Sequence, residues 1–101
     1  MFALLPIIGL EGVAFAQPMP SEVKRVMGKY ACTSCHALQE RLIGPSWLEL
    51  SKHRYTPRRL STLMRQPRPE NWPDYPPMPP LPHFTDTDAK IITDWLNRLK
   101  K

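Results

Sequence analysis

Three segments of this chain place their apolar residues at the spacing of one helix face. They lie between residues 21 and 31, between 57 and 66, and between 85 and 101. Such intervals of three and four residues mark the buried side of an amphipathic helix. The positions are Val23, Val26, Met27 and Tyr30, then Leu60, Leu63 and Met64, then Ile91, Ile92, Trp95, Leu96 and Leu99. No segment has the convincing pattern of a strand, so the sequence predicts an all-α fold.

A short helix is expected to start at Ser46. Three further helices are expected to be capped by Ser21, Thr56 and Thr85. Their side-chain oxygens can accept hydrogen bonds from the unpaired amides of a first turn. Pro57 follows Thr56 and suits the first helical position. Residues 37–45, which end in Gly44 and Pro45, are predicted to be a loop.

The two outer helices also have predicted ends. The first is expected to run directly into Cys32. The last carries Asp86 and Asp88 in its first turn, where acidic residues match the helix dipole. Its last turn is predicted to contain Arg98, Lys100 and Lys101.

A proline-rich segment, residues 67–82, precedes the last helix. It contains eight of the 13 prolines of the chain, and proline removes the amide donor that a sheet ladder needs. We therefore predict an extended segment without secondary structure of its own. A loop of this length in a compact domain is commonly either functional or disordered.

Length and charge limit what the chain can be. Its 101 residues suffice for one domain with a small core, and such domains commonly need a metal, a cofactor or disulfides. The net charge of +5 suits an acidic protein partner, an anionic membrane or a nucleic acid.

The N-terminus is typical of an export signal. Residues 1–16, "MFALLPIIGLEGVAFA", combine an apolar run with a small-x-small ending, although no basic residue precedes the run. Residues 17–101 are then the mature domain, outside the cytoplasm. If residues 1–16 are not cleaved, we expect loose association with a membrane.

The motif that carries chemistry is "CTSCH", which holds the only two cysteines, Cys32 and Cys35, and also His36. Four uses compete: a disulfide, a thiol redox pair, a zinc site and covalent attachment of haem. A disulfide would close a very short loop, and a thiol redox pair normally follows a strand. A zinc site needs four ligands, and His53 and His83 lie far along the chain. Cys-x-x-Cys-His is a specific signal for haem attachment, with the histidine on the iron. We favour haem and keep the other three as alternatives.

A second axial ligand decides whether such an iron transfers electrons or binds small molecules. The candidates are His53, Met64, Met78 and His83. Met64 falls on a predicted apolar helix face, where a core role is the simpler interpretation. Met78 stands in "YPPMPPLP", where stiff neighbours lower the entropy cost of holding its side chain at a metal. We therefore predict Met78 as the ligand, with His83 as its alternative.

These motifs make residues 19–101 resemble the small bacterial class I monohaem cytochromes c. The shared features are a helix leading into "CTSCH", then "GP", then a proline-flanked methionine, then a C-terminal amphipathic helix. The resemblance covers nearly the whole mature chain. It implies a small cytochrome c fold, with three to five helices wrapped around one covalent haem c. It also implies crossing of the first and last helices, with Val23, Val26, Met27 and Tyr30 packed against Trp95, Leu96 and Leu99.

The resemblance assigns roles to single residues as well. Cys32 and Cys35 would form the thioethers, and the iron ligands would be His36 and Met78. The carbonyl of Pro45 would accept the Nδ1–H of His36 and fix its tautomer. Two aromatic residues ahead of the methionine would either lie near a haem propionate or simply pack: Trp72 and Tyr75. The proline content around the methionine is high even for this family.

The expected function is transfer of single electrons between redox partners in the periplasm, by a monomer or by a subunit of an oxidoreductase complex. Six ligands leave the iron no open position, so no enzymatic activity is expected. Nucleic acid is not an expected partner. Candidates for a basic rim that docks on an acidic redox partner are Lys24, Arg25, Lys29, Arg54, Arg58 and Arg59. The alternatives are a haem subunit fixed to a larger oxidoreductase, a five-coordinate haem sensor or peroxidase, and a haem-free interaction module.

Overall fold

The computed structural model of this chain describes residues 19–99. Its helices are α1 (Ser21–Lys29), α2 (Trp47–Ser51), α3 (Pro57–Arg65) and α4 (Asp86–Leu96). Short 3₁₀ turns cover Cys32–Ser34 and Pro69–Asn71. No strand occurs in residues 19–99, which confirms the all-α prediction for them. The predicted export signal, residues 1–16, and the basic residues 100 and 101 lie outside the described part.

Two of the three predicted caps, Thr56 and Thr85, start their helices, and Ser46 caps the short helix that was expected from it. The hydroxyls of Ser46, Thr56 and Thr85 each accept a hydrogen bond from the amide three residues further on, at 3.0–3.1 Å. The prediction for Ser21 is wrong. The helix starts at Ser21 itself, after an extended Pro20, and no side chain caps it. Its hydroxyl therefore stands inside the first turn, where it cannot act as the preceding cap.

The predicted ends of the outer helices are also wrong. Helix α1 stops at Lys29, because the chain turns through Ala31, which has a left-handed backbone conformation (φ 57°). A 3₁₀ turn, not α-helix, carries Cys32. Helix α4 stops at Leu96, and Arg98 lies beyond it in a turn, where its amide donates to the carbonyl of Trp95 at 3.0 Å.

The core lies where α1, α2 and α3 pack against α4. The contact between the first and last helices agrees with the expectation for them. Their buried side chains join those of the middle helices and of Phe84 in one cluster. Its buried members are Val23, Val26, Met27, Trp47, Leu60, Phe84, Ala89, Ile92, Trp95 and Leu96. Tyr30, Ile91 and Leu99 are partly buried against it.

The proline-rich segment runs without regular structure apart from the turn at Pro69–Asn71. Its far end is held by a backbone hydrogen bond of 2.8 Å from the amide of Leu81 to the carbonyl of Met64, near the end of α3. The segment therefore crosses in front of the core and forms one wall of a cleft.

Candidate functional site

An apolar cleft opens between the cysteine motif and the proline-rich segment. The volume of the cleft is about 200 Å³. The first wall includes Cys32, Cys35, His36, Ile43, Gly44 and Pro45. The opposite wall includes Trp72, Tyr75, Pro76, Pro77, Met78 and Pro79. The floor is built from core side chains, among them Met27, Trp47, Leu60, Leu63, Ile92 and Leu96.

The cysteine motif is folded tightly, so that all three of its reactive side chains reach this cleft. The amides of Cys35 and His36 both donate to the carbonyl of Cys32, at 3.2 and 3.1 Å. The two thiols are free. Burial raises the pKa of the Cys32 thiol to about 11. Since the thiolate is the nucleophile in disulfide exchange and the ligand of zinc, this environment favours neither use.

His36 is held with one ring nitrogen occupied. Its Nδ1 donates a hydrogen bond to the carbonyl oxygen of Pro45, at 2.6 Å. A carbonyl can only accept, so Nδ1 carries the proton and Nε2 keeps its lone pair. Burial lowers the pKa of His36, and the bond to Pro45 opposes this shift only in part. The arrangement presents a neutral imidazole that can bind a metal through Nε2.

Two neighbours that sequence reasoning did not single out fix the ring of His36. A β-carbon on Gly44 would lie 2.6 Å from Cε1 of His36, so only glycine leaves room for the imidazole. On another side, the rings of His36 and Trp47 have centroids 4.8 Å apart. Trp47 is 6% exposed and packs edge-on against Trp95, at 5.7 Å. The pair "GP" in the loop was the available signal for Gly44, whereas the contact with Trp47 is tertiary.

The structure separates the candidates for a second axial ligand. Met64 and Met78 both line the cleft. His83 is exposed and does not line it. His53 lines a different pocket, where its ring stacks on Tyr55 at a centroid distance of 5.4 Å. Both methionines therefore border the cleft that His36 also lines, whereas His53 and His83 do not.

Trp72 and Tyr75 are both half-buried on the cleft wall, and each makes further aromatic contacts. Their rings meet edge to face at 5.9 Å. Trp72 also lies against the ring of His53, at 4.9 Å. Tyr75 lies under the guanidinium of Arg41, which is 4.0 Å from the ring centroid. A row of ring contacts thus follows the proline-rich segment along the cleft.

A second pocket adjoins the cleft and is positively charged. The two share the side chains of Tyr55, Leu63, Asn71 and Trp72. The second pocket adds the cationic side chains of Arg54 and Arg59 and the ring of His53, and its described lining contains no carboxylate. Within residues 19–99 no acidic side chain pairs with either arginine. The pocket suits an anionic group that extends from the cleft.

One of the basic residues predicted for docking has an internal role. Lys29 donates to the carboxylate of Asp88 at 3.0 Å and so links α1 to α4. Lys24, Arg25, Arg58 and Arg59 are exposed. Arg54 is exposed as well and donates to the carbonyl of Asn97 at 3.1 Å.

Searches with protein-family models, among curated proteins and among solved structures found no significant match to this chain. In residues 19–99, no group of three or more His, Cys, Asp or Glu side chains is arranged to hold a metal ion. Within the same residues, no helix is both long enough and apolar enough to span a bilayer.

Proposed function

We propose that this chain binds one haem covalently through Cys32 and Cys35 and transfers single electrons outside the cytoplasm, as a small cytochrome c. One observation carries the proposal. The two thiols open into the same apolar cleft as His36, whose Nε2 is left free by the hydrogen bond to Pro45.

The side chains around the cleft have the polarity and the ligand types that a haem needs. Apolar walls would bury the macrocycle, and the ligands on offer are a neutral imidazole and a thioether, which suit iron in a haem. The two haem carboxylates would lie toward the second pocket, near Arg54 and Arg59. Trp72 and Tyr75 would pack beside them.

The roles of the axial residues follow from their surroundings. Pro45 fixes the tautomer and the orientation of His36, and Gly44 leaves space for the ring. Met78 lies between stiff prolines, so that little entropy is lost when its sulfur is held in place. When bound, the haem iron supplies a one-electron couple, and histidine–methionine ligation raises its reduction potential.

Redox proteins with acidic docking surfaces are the proposed partners. The exposed basic residues Lys24, Arg25 and Arg58 would speed encounter with them, in a manner that weakens with salt. Two exposed apolar residues, Leu42 and Ile43, favour a second form of the same function, a haem subunit fixed to a larger oxidoreductase. Ile43 lines the cleft, so a partner that covers it would lie next to the haem.

The test is the absorption spectrum of the chain produced with a c-type maturation system. We expect a Soret band that stays with the polypeptide after denaturation, because thioether bonds survive unfolding. The Cys32→Ala, Cys35→Ala double variant, made in the same cells, is the matched control and should lose the band. If the denatured wild-type chain keeps no haem, the proposal is wrong and a haem-free module takes its place.

A further inference from the structure

The side chain of Arg41 connects the two walls of the cleft. Arg41 is an exposed residue of the loop between His36 and Pro45, and this loop supplies Ile43 and Gly44 to the wall that holds the imidazole. Its guanidinium reaches a site 33 residues further along the chain. There Nη2 donates to the backbone carbonyl of Asp74, and the guanidinium carbon lies 4.0 Å from the ring centroid of Tyr75.

The contacted residues stand just before Met78 in the opposite wall. The chain between Tyr75 and Leu81 reads Pro-Pro-Met-Pro-Pro, in which Met78 supplies the only amide donor. At the far end, the amide of Leu81 is bound to the carbonyl of Met64. Residues 76–80 therefore lie between two points at which the segment is bound to the rest of the protein. One is the hydrogen bond of Leu81, and the other is the pair of contacts that Arg41 makes.

We propose that Arg41 is a positioning residue that holds the proline-rich segment closed over the cleft and thereby sets the position of Met78. We call its contacts with Asp74 and Tyr75 the Arg41 bridge. A guanidinium suits this place because its flat face can lie on an aromatic ring while its edge donates to a carbonyl. Lysine has one compact charge and cannot satisfy both partners at once.

Stiffness in the segment makes a single attachment effective. Proline restricts the backbone, so a displacement at Tyr75 is passed along the chain to Met78 instead of being absorbed by neighbouring dihedral angles. The ring of Tyr75 is itself supported edge-on by Trp72. Loss of the bridge should free Tyr75 and Met78 while leaving the helical core intact.

The bridge is tested by amide hydrogen exchange on the purified protein, produced with a c-type maturation system. In Arg41→Ala we expect exchange at Tyr75 and Leu81 to accelerate roughly five- to seventyfold, the range for an exposed cation–π contact plus a hydrogen bond. Exchange at Ile92, in the buried part of α4, should be unchanged. Arg25→Ala, which removes an exposed arginine from α1, is the matched control and should leave all three amides as in the wild type.

Substitutions at Tyr75 separate the ring contact from simple loss of charge. Tyr75→Phe keeps the ring, so its amides should exchange at the wild-type rate. Tyr75→Leu loses the ring, so exchange at Leu81 should accelerate as it does in Arg41→Ala. Arg41→Lys should fall between the wild type and Arg41→Ala. If the amides of Tyr75 and Leu81 exchange at the wild-type rate in Arg41→Ala, the proposal is wrong. It is also wrong if exchange at Ile92 accelerates as much as exchange at Tyr75 and Leu81.

A second measurement reports on Met78, and this part rests on the proposed function. In the haem-bearing protein, the weak long-wavelength band of a methionine–ferric bond should be lost at a lower pH in Arg41→Ala than in the wild type. If exchange accelerates as expected but no variant shows that band, the bridge stands and Met78 as a ligand fails. If the band is present and its pH dependence is the same in both proteins, the claim that Arg41 positions Met78 fails.

Discussion

Gly44 and His36 are in such close contact that a β-carbon at position 44 would lie 2.6 Å from Cε1 of the imidazole and 3.0 Å from Nδ1. The ring cannot yield easily, because Nδ1 is bound to Pro45 and Trp47 packs against it. Gly44→Ala should therefore lower the free energy of unfolding by about 1–3 kcal/mol, as overpacking of a tight site does. It should also lower the yield of haem-bearing protein. Urea unfolding and the Soret absorbance per polypeptide measure the two effects.

Gly28 provides the matched control for this substitution. It lies in α1, is exposed, and a β-carbon there would meet nothing within 4 Å. Gly28→Ala should raise the free energy of unfolding by about 0.5–1 kcal/mol, because alanine is the better helix former. If Gly44→Ala is as stable as the wild type, the close contact with His36 does not constrain the site.

Asp88 is the buried carboxylate that joins α1 to α4. Its Oδ2 accepts hydrogen bonds from the hydroxyl of Tyr30 at 2.6 Å and from Lys29 at 3.0 Å. Burial by itself raises the pKa of Asp88, but these bonds and one with Thr85 outweigh it and hold the pKa below its usual value. The carboxylate thus stabilises the fold at pH values above the pKa of the unfolded chain, about 4. This contribution is lost as the pH falls through the lower pKa of the folded state.

Asp88→Asn should therefore destabilise the protein at neutral pH by about 1–3 kcal/mol, the cost of weakening the bonds of a buried group. The difference from the wild type should shrink as the pH falls below about 4, because the wild-type carboxyl is then protonated too. Unfolding by urea across this pH range measures the difference. Asp94→Asn, which breaks an exposed pair with Lys90, is the control and should cost far less. If the difference in unfolding free energy between Asp88→Asn and the wild type stays constant down to low pH, the charge of Asp88 is not its cause. The shape of the side chain would then account for it.

The features that sequence predicted best are those set by local chemistry. The caps at Thr56 and Thr85 depend on a hydroxyl and an amide three residues apart, so the pattern of a few residues suffices. The predicted loop at residues 37–45 has the same local character, because it ends in Gly44 and Pro45. The end of α1 was predicted wrongly because Ala31 takes a left-handed conformation, which its residue type does not indicate.

The features that sequence missed depend on residues far apart in the chain. Arg41 meets Tyr75 across 34 positions, and His53 meets Trp72 across 19. Neither pair forms part of a repeating pattern, so the spacing of residues along the chain does not predict either contact. Gly44 is an intermediate case, because its position before Pro45 marks a turn, while its contact with His36 depends on how the loop folds back.

Met78 and Met64 both line the cleft, and substitution distinguishes their roles. Met78→Leu should remove the long-wavelength methionine–ferric band and lower the reduction potential, because the thioether ligand is lost. Met64→Leu should keep both, since Met64 lies on α3 and serves as a wall of the cleft. Methionine-to-leucine changes conserve volume and typically cost less than about 1.5 kcal/mol, so both variants should fold. Loss of the band in Met64→Leu alone would reverse the assignment.

The cleft and the core share walls, which makes the fold dependent on what fills the cleft. Met27, Trp47, Leu60, Ile92 and Leu96 belong to the buried cluster and also face the cleft. Without haem these side chains border water on one side, and a chain of this size has little other apolar area to bury. The Cys32→Ala, Cys35→Ala double variant should therefore be largely unfolded, with weak helical circular dichroism and no cooperative thermal transition.

The wild-type chain produced without a maturation system separates the effect of haem from that of the thiols. It keeps Cys32 and Cys35 but carries no attached cofactor, so it should resemble the double variant in both measurements. A cooperative transition in either sample would mean that α1, α3 and α4 form a stable core alone. In that case the domain would fold without haem. The lower stability of Gly44→Ala would then have to arise from strain in the loop, because loss of the cofactor would not unfold the domain.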